Sequence, residues 1–304
     1  MPEPLLELAN ASDGYRWYYR VYRPVGRPRG QVVLLHGVQS HGGWYVGTCQ
    51  ALCAAGYLVW FLERRGCGLN TAHRGDAPSF RRLLDDVAEH LRRLRGLGLP
   101  LVLVAISWGG KLAVSLQYRE PGLCDGLALV CPGLAARIHL PFWQRLAILR
   151  ARLLRPTRLF PIPLNDPELF TTNPQWQTFL RHDPHALHLA TARLMFISFQ
   201  LDVYLRRAWR AVEVPTVLFL AGEDRVIDNE RTRQYVARFP APVQIIEYPH
   251  NHHTLEFEPS VEQFRADLLA WLDTVVQAKQ QRTALKAASV SPPSADSAAS
   301  AHRR

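Results

Sequence analysis

Residues 101–111 have the order expected around a nucleophilic serine. The apolar run Leu101–Ile106 leads into Ser107, and Gly109 follows two positions later in the pattern A-x-S-x-G. A hydroxyl at a sharp strand-to-helix turn projects clear of both elements, and small residues on either side let the two backbones pass closely. Free N–H groups at the helix N-terminus favour negative charge. Ser107 is therefore a candidate nucleophile, and the Trp108 N–H is a candidate oxyanion donor.

The same pattern fits a serine that only caps an ordinary helix. A nucleophile also needs a base and an acid to orient that base. Residues 214–221 have the composition of a buried strand, and Asp224 lies in the loop that follows. Residues 243–248 have the composition of another strand, and the loop after it contains His250, His252 and His253. The order Ser, Asp, His is that of a doubly wound hydrolase fold, which favours the nucleophile.

Four motifs in this order resemble those of α/β-hydrolases of the monoacylglycerol lipase and lysophospholipase type. They are Leu-Leu-His-Gly-Val at 34–38, Glu-Arg-Arg-Gly-Cys-Gly-Leu-Asn at 63–70, the Ser107 turn, and the loops of Asp224 and His253. Together they span residues 31–258. The second motif resembles the family pattern D-x-R-G-x-G-x-S, with Glu63 and Asn70 in place of Asp and Ser. We expect the loop to be kept, but its hydrogen bonds need not follow those of the family.

The resemblance also selects one histidine as the base. The last family motif is a Tyr, four residues, a His, one residue, a Leu, and a Glu three positions after the Leu. Tyr248, His253, Leu255 and Glu258 fit this spacing. His252 stays open as the alternative base, because sequence does not fix the direction of a loop side chain.

Asp224 is the predicted acid of the triad. Asp228 has the pattern of an N-cap for a helix at 229–239, and Glu223 that of a solvated loop charge. In some hydrolases the acid follows an earlier strand, but residues 132–136, Pro-Gly-Leu-Ala-Ala, contain no carboxylate.

The second oxyanion donor of this fold comes from the loop after the strand at 31–35. The matching residue is Val38, of which only the backbone N–H matters. We interpret His36 as a structural histidine that ties neighbouring loops together, and Cys67 as a small residue that fills its loop.

No cofactor and no metal are predicted. The three neighbouring histidines suggest a metal site, yet the chain has no H-x-x-x-H helix or Cys pair to complete tetrahedral coordination. The five cysteines are an odd number without C-x-x-C spacing, which is typical of a reducing compartment. With no run of 18 apolar residues and no signal-like start, the expected location is cytoplasmic, with peripheral membrane contact as an alternative.

The strands and helices predict an α/β-hydrolase fold with a mostly parallel, doubly wound sheet. A chain of 304 residues with 48% hydrophobic content can bury one large core. We predict the core at residues 1–131 and 212–277, a helical cap at 132–211, and a disordered tail at 278–304. The oligomeric state is not predicted.

Within the cap, residues 140–154 predict a basic amphipathic helix, and residues 184–204 predict a second helix. The cap holds eleven arginines and four acidic residues, so it carries most of the net charge of +10. Basic charge beside Phe142, Trp143, Leu146 and Leu149 suits an anionic membrane surface or an acidic substrate. Alternatively, these apolar residues pack onto the core. No nucleic-acid partner is predicted, because no known binding module accompanies the charge.

The resemblance implies a serine hydrolase that cleaves carboxylic esters, of the acylglycerol or lysophospholipid type, through an acyl-enzyme. An acyltransferase, a thioesterase or a carbon–carbon bond hydrolase uses the same residues. A ligand-binding protein with the same fold and little turnover is the alternative outside enzymes.

Overall fold

The computed structural model describes residues 3–290, and ten strands lie in this part of the chain. In chain order they are Leu5–Asn10 (β1), Arg16–Tyr22 (β2), Gly30–Leu35 (β3), Tyr57–Leu62 (β4), Leu101–Ile106 (β5), Gly126–Val130 (β6), Leu159–Pro161 (β7), Leu189–Thr191 (β8), Thr216–Ala221 (β9) and Val243–Tyr248 (β10).

Eight α-helices connect or flank these strands. They are Val46–Ala54 (α1), Phe80–Arg95 (α2), Gly109–Arg119 (α3), Phe142–Leu154 (α4), Pro174–His182 (α5), Ala192–Ala208 (α6), Asn229–Val236 (α7) and Val261–Val290 (α8). None of them is both long enough and apolar enough to cross a membrane.

Eight of the strands form one sheet in the order β1-β2-β4-β3-β5-β6-β9-β10. The first two strands run antiparallel as a hairpin, β2 pairs antiparallel with β4, and the other pairs are parallel. All residues of β3, β4, β5, β6 and β9 are buried, because hydrophobic layers cover both faces of the sheet. This architecture confirms the predicted α/β-hydrolase fold.

The second predicted cap helix, at 184–204, is wrong in its first third. Residues 184–188 form a loop, and the helix α6 begins only at Ala192, after Thr191 caps the N–H of Leu194. The Arg74 side chain donates to the carbonyl oxygens of His185 and Ala186 at 3.0 and 2.8 Å, so these oxygens are not free for helical bonds. Contacts to another part of the chain therefore override the local helical pattern.

The predicted disordered tail at 278–304 is also corrected, because α8 continues through Val290. Lys279 Nζ lies 2.9 Å from Asp125 Oδ1, and the Gln280 amide donates to the Arg29 carbonyl at 3.1 Å. The segment is rich in Ala, Lys, Gln and Arg, which have high helix propensity, and this property lets the helix continue without an apolar stripe. Residues 291–304 lie outside the described residues.

The four apolar residues of α4 that were considered from the sequence, Phe142, Trp143, Leu146 and Leu149, do not pack onto the core. Phe142 and Trp143 are 80% and 66% exposed, and only Ile148 and Ala151 of this helix are buried. Within residues 3–290, the alternative in which these apolar side chains of α4 pack onto the core is therefore wrong.

Candidate active site

Ser107 lies at the turn between β5 and α3 in a strained backbone conformation. Its φ of 51° lies in the left-handed region, which costs free energy for a residue with a side chain. Hydrogen bonds from Ser107 N to Val130 O and from Gly110 N to Ser107 O, both 2.9 Å, hold the turn. A Cβ at Gly109 would lie 2.7 Å from the Leu35 carbonyl oxygen, so only glycine lets the helix pass β3 this closely.

A chain of hydrogen bonds links Ser107, His253 and Asp224. Ser107 Oγ lies 2.9 Å from His253 Nε2, and His253 Nδ1 lies 2.8 Å from Asp224 Oδ2. The His253 and Asp224 side chains are 3% and 0% exposed. Because Nδ1 donates to the carboxylate, Nε2 is the nitrogen that can accept the Ser107 proton.

The loops after β9 and β10 deliver the acid and the histidine to the edge of the sheet where Ser107 lies. Asp224 is fixed by its second oxygen, Oδ1, which accepts from the N–H groups of Val226 and Ile227 at 2.7 and 2.8 Å. The carboxylate is thus held by two N–H groups of its own loop and by His253 Nδ1, and it cannot rotate without losing these three hydrogen bonds.

The alternative candidates lie elsewhere. His252 is buried, but its Nδ1 lies 3.3 Å from Glu258 Oε2 and its Nε2 lies 3.5 Å from Glu223 Oε2. Asp228 accepts from the Arg231 N–H as the N-cap of α7, and Glu223 is half exposed. His250 is an exposed loop residue whose Nδ1 lies 3.8 Å from Glu223.

Val38 and Trp108 lie on the two backbone segments beside Ser107. A Cβ on Gly37 would lie 3.3 Å from Ser107 Cβ, so the loop after β3 passes close to Ser107. Trp108 directly follows the serine, and its indole N–H donates to Ser198 Oγ in α6 at 3.0 Å. Trp108 thus directly follows Ser107 in the chain, and Val38 directly follows Gly37, the residue whose position is close to Ser107.

His36 ties the loop after β3 to the loop after β4. Its Nε2 accepts from the Arg64 N–H at 2.9 Å, and its Nδ1 donates to the Gly37 carbonyl at 2.7 Å. Burial, and then the positive charge of Arg64, hold the pKa of His36 well below its usual range. The ring is therefore neutral and structural.

Glu63 and Asn70 make their own hydrogen bonds within the second motif. Glu63 is fully buried, accepts from the Leu69 N–H at 2.6 Å and pairs with Arg20 at 2.8 Å. Asn70 donates to the Glu63 carbonyl at 2.8 Å and accepts from the Tyr18 N–H at 2.6 Å. The Glu63 side chain, which is longer than the Asp of the family pattern, thus pairs with Arg20 of β2, and its hydrogen bond to Leu69 keeps the loop closed.

Two residues near the site were not singled out from the sequence. Cys131 follows β6, and its sulfur lies with the ligand atoms of Asp224 and His253 within 4.8 Å of one another. These three groups could hold a metal ion, although Asp224 and His253 already bond to each other. Burial raises the pKa of the Cys131 thiol well above its usual range, so the thiol stays protonated. The other residue, Arg64, occupies a variable position of the second motif.

The family model described as Hydrolase_4, serine aminopeptidase, S33, matches residues 26–260 of the chain. The chain is 27% identical to a monoacylglycerol lipase of Mycolicibacterium smegmatis over 85% of its own length and 93% of that protein. It is 26% identical to the human monoglyceride lipase over 75% of its own length and 76% of that protein.

Solved structures show the same fold. A soluble variant of the monoglyceride lipase from Saccharomyces cerevisiae, in complex with a substrate analogue, superposes with a TM-score of 0.81 at 17% identity over 91% of this chain and 97% of the yeast chain. The monoacylglycerol lipase of Paleococcus ferrophilus gives a TM-score of 0.77 at 21% identity over 88% and 99%. The family match and the lipase relatives confirm the predicted fold and the predicted class of enzyme, an ester hydrolase. The chain therefore belongs to the Hydrolase_4, or serine aminopeptidase S33, family of α/β-hydrolases and is similar to its monoacylglycerol lipases.

Proposed function

We propose that this enzyme cleaves carboxylic esters with Ser107 as the nucleophile, His253 as the general base and Asp224 as the acid that orients the base. The observation that supports this proposal most directly is the unbroken hydrogen-bond chain from Ser107 Oγ through the His253 ring to Asp224. A buried base that accepts from a serine hydroxyl and donates to a fixed carboxylate is the arrangement that activates a serine.

The reaction has two halves. Ser107 Oγ attacks the ester carbonyl while His253 Nε2 takes its proton, and Asp224 stabilises the imidazolium that forms. The N–H groups of Val38 and Trp108 bind the oxyanion of the tetrahedral intermediate. His253 then protonates the leaving alcohol, which leaves an acyl group on Ser107. Water, deprotonated by His253, attacks the acyl-enzyme and releases the carboxylic acid.

We propose acylglycerol or lysophospholipid-type lipid esters as the substrate class. The monoacylglycerol lipases that the chain resembles support this choice over a short polar ester. An acyl chain is apolar, and the cap side chains Leu187, Leu194 and Ile197 belong to the same hydrophobic cluster as Trp108, with Val38 packed against that cluster. The cap thus adds apolar side chains to the cluster that contains the residue after Ser107.

We further propose that α4 contacts an anionic lipid surface. Its outer apolar residues, called here the α4 apolar face, are Phe142, Trp143, Leu146, Leu149, Leu153 and Leu154, all at least 45% exposed. Arg145 and Arg150 are exposed on the same helix. A large apolar patch with basic side chains beside it is typical of a helix that lies in a membrane interface.

A panel of esters tests the proposed function. Wild-type protein and the Ser107→Ala variant are compared on p-nitrophenyl esters of short to long acyl chains, on a monoacylglycerol and on a lysophospholipid. We expect the wild type to hydrolyse the lipid esters and the variant to lose activity by several orders of magnitude. A fluorophosphonate probe should label the wild type at Ser107 and should not label the variant.

Other results would contradict the proposal in distinct ways. The probe could label Ser107 although no ester is hydrolysed. Turnover of a thioester, acyl transfer to an acceptor or cleavage of a carbon–carbon bond would then assign the triad to that reaction. No labelling and no turnover, with lipid binding retained, would indicate a ligand-binding protein.

A further inference from the structure

Arg64 is a buried cation in the loop after β4. The residue is 8% exposed, and no ion pair within 4.0 Å joins it to any carboxylate among residues 3–290. Its neighbour Arg65 is equally buried but pairs with Asp13 and Asp86 at 2.9 and 2.6 Å. An unpaired buried charge destabilises the folded state, so its presence here indicates a functional role.

The Arg64 side chain contacts both segments that carry the proposed oxyanion donors. Its Nη1 donates to the Gly37 carbonyl oxygen at 3.3 Å, and its Nη2 donates to the Val38 carbonyl oxygen at 2.8 Å. The guanidinium carbon also lies 4.7 Å from the centre of the Trp108 ring, a cation–π distance. The guanidinium group therefore contacts Val38, the residue before it, and the side chain of Trp108.

These contacts determine which way the Gly37–Val38 peptide faces. In a trans peptide the carbonyl oxygen and the following N–H point in opposite directions. The Gly37 carbonyl is drawn towards Arg64 and towards His36 Nδ1, so the Val38 N–H must point away from both. If this peptide flipped, its carbonyl oxygen would take the place of the donor and repel an oxyanion.

We propose that Arg64 is a positioning residue of the oxyanion hole, which orients the Val38 backbone N–H through the Gly37–Val38 peptide and sets an unneutralised positive charge beside Val38 and Trp108. This inference rests on the proposed ester hydrolysis. His36 is neutral, so the positive charge next to this peptide is that of Arg64. Negative charge that develops on the substrate carbonyl oxygen in the transition state completes the electrostatic environment of the guanidinium, whereas the neutral ester does not.

Two variants test the proposal. Arg64→Met keeps an apolar stem of similar length but removes the charge and both donors, and Arg64→Lys keeps the charge but not the planar fork. We expect Arg64→Met to lower kcat by about 10- to 100-fold with KM changed by less than about 3-fold, since the loss falls on the transition state. The kcat of Arg64→Lys should lie between those of Arg64→Met and the wild type.

A tetrahedral inhibitor gives a readout that a merely structural role would not move. A trifluoromethyl ketone adds to Ser107 and places an oxyanion between the two donors. Its inhibition constant should rise in Arg64→Met by the factor by which kcat/KM falls. Arg65→Met is the matched control, because it removes an equally buried arginine that does not touch Gly37, Val38 or Trp108. We expect this variant to have a lower melting temperature but an unchanged kcat per site labelled by fluorophosphonate.

The results separate this proposal from the proposed function. If the wild type hydrolyses esters and Arg64→Met has the same kcat and ketone affinity per labelled site, the role of Arg64 is refuted and the hydrolase stands. The same holds if Arg65→Met lowers kcat as much as Arg64→Met. If Arg64→Met does not fold, a wild-type kcat and ketone affinity in Arg64→Lys would refute the need for the fork. If the wild type cleaves no ester, both proposals fail.

Discussion

The rings of His252 and His253 face different partners although the two residues are adjacent in the chain. His253 Nε2 lies 2.9 Å from Ser107 Oγ, whereas His252 Nε2 lies 3.5 Å from Glu223 Oε2. His252 Nδ1 is directed at Glu258, which also accepts the His252 N–H at 3.1 Å. Only one of the two imidazoles can therefore exchange a proton with the serine.

This geometry predicts very different kinetics for two single variants. His253→Ala should lower the kcat for ester hydrolysis by about 10³-fold or more, because no base remains for Ser107. His252→Ala should change kcat by less than about 3-fold, because its ring contacts carboxylates away from the nucleophile. Steady-state kinetics on p-nitrophenyl butyrate, normalised to folded protein, measures both. A large loss in His252→Ala with an active His253→Ala would reverse the assignment of the base.

The order of the motifs sufficed to predict the sheet and the residues now proposed as catalytic, because each of them lies in the turn or loop after a strand. The strands before Ser107 and Asp224 are fully buried, whereas only Tyr248 of β10, the strand before His253, is buried. The end of a strand is fixed by hydrophobic burial, which sequence records well. The direction of a loop side chain is not recorded in this way. The choice between His252 and His253 as the general base therefore needed either a family resemblance or the structure.

Arg64 and the loop at 184–188 show what the sequence did not reveal. Both depend on hydrogen bonds from an arginine to backbone carbonyls that are distant in sequence, and arginines are common enough that no pattern marks these two. The helix α5 did carry a signal, since Asn173 caps it and Pro174 occupies its first position. The helix has only nine residues, so its apolar positions Trp176, Phe179 and Leu180 form too short a pattern to have been singled out.

Asp183 contributes to the acid stability of the cap. Asp183 accepts from His41 Nε2 at 2.8 Å and from Trp44 Nε1 at 2.6 Å, which joins the cap to the segment after Val38. Burial alone would raise the pKa of Asp183, but these hydrogen bonds lower it to about 2. A carboxylate with a depressed pKa stabilises the fold above its unfolded pKa near 4, and the stabilisation is lost as the pH falls towards 2.

Asp183→Asn should therefore be less stable than the wild type at pH 7, by on the order of 1 kcal/mol in the free energy of unfolding. The difference should shrink as the pH falls from about 4 to about 2, where the wild-type carboxyl is protonated as well. Urea unfolding at a series of pH values measures it. Glu168→Gln, a change at an exposed cap carboxylate, is the control and should show no such trend. A constant difference across the whole range would exclude the ionised Asp183 as its cause.

A pair of truncations tests what the end of α8 contributes. Removal of all residues after Gln280 keeps the contacts of Lys279 with Asp125 and of Gln280 with the Arg29 carbonyl. Removal of all residues after Gln277 deletes both contacts. We expect the first truncation to leave the melting temperature unchanged and the second to lower it by a few degrees, in line with an ion pair between a partly exposed lysine and a buried carboxylate. Equal melting temperatures for both would mean that Lys279 does not stabilise the fold.

If α4 binds an anionic lipid surface, its arginines should contribute to the affinity. Each basic residue near such a surface adds about 1 kcal/mol of attraction, and this attraction fades with salt because counterions screen it. Joint replacement of Arg145, Arg150 and Arg152 by Ser should therefore weaken binding to phosphatidylserine-containing vesicles and lower activity on dispersed monoacylglycerol. Hydrolysis of a short soluble ester should stay the same, since these arginines do not contact the proposed catalytic residues.

A matched variant separates local from global charge effects. Arg16, Arg27 and Arg231 are exposed and lie outside the cap, so their joint replacement by Ser removes the same charge elsewhere on the surface. Vesicle cosedimentation at low and high salt should distinguish the two triple variants, and the α4 variant should lose the larger share of its binding. If both variants bind anionic vesicles equally, or if the wild type binds neutral and anionic vesicles alike at low salt, α4 is not the docking element. A larger loss of vesicle binding in the α4 variant than in the control variant would instead mean that the arginines hold α4 at the surface. The exposed Phe142 and Trp143 would then contact the lipid.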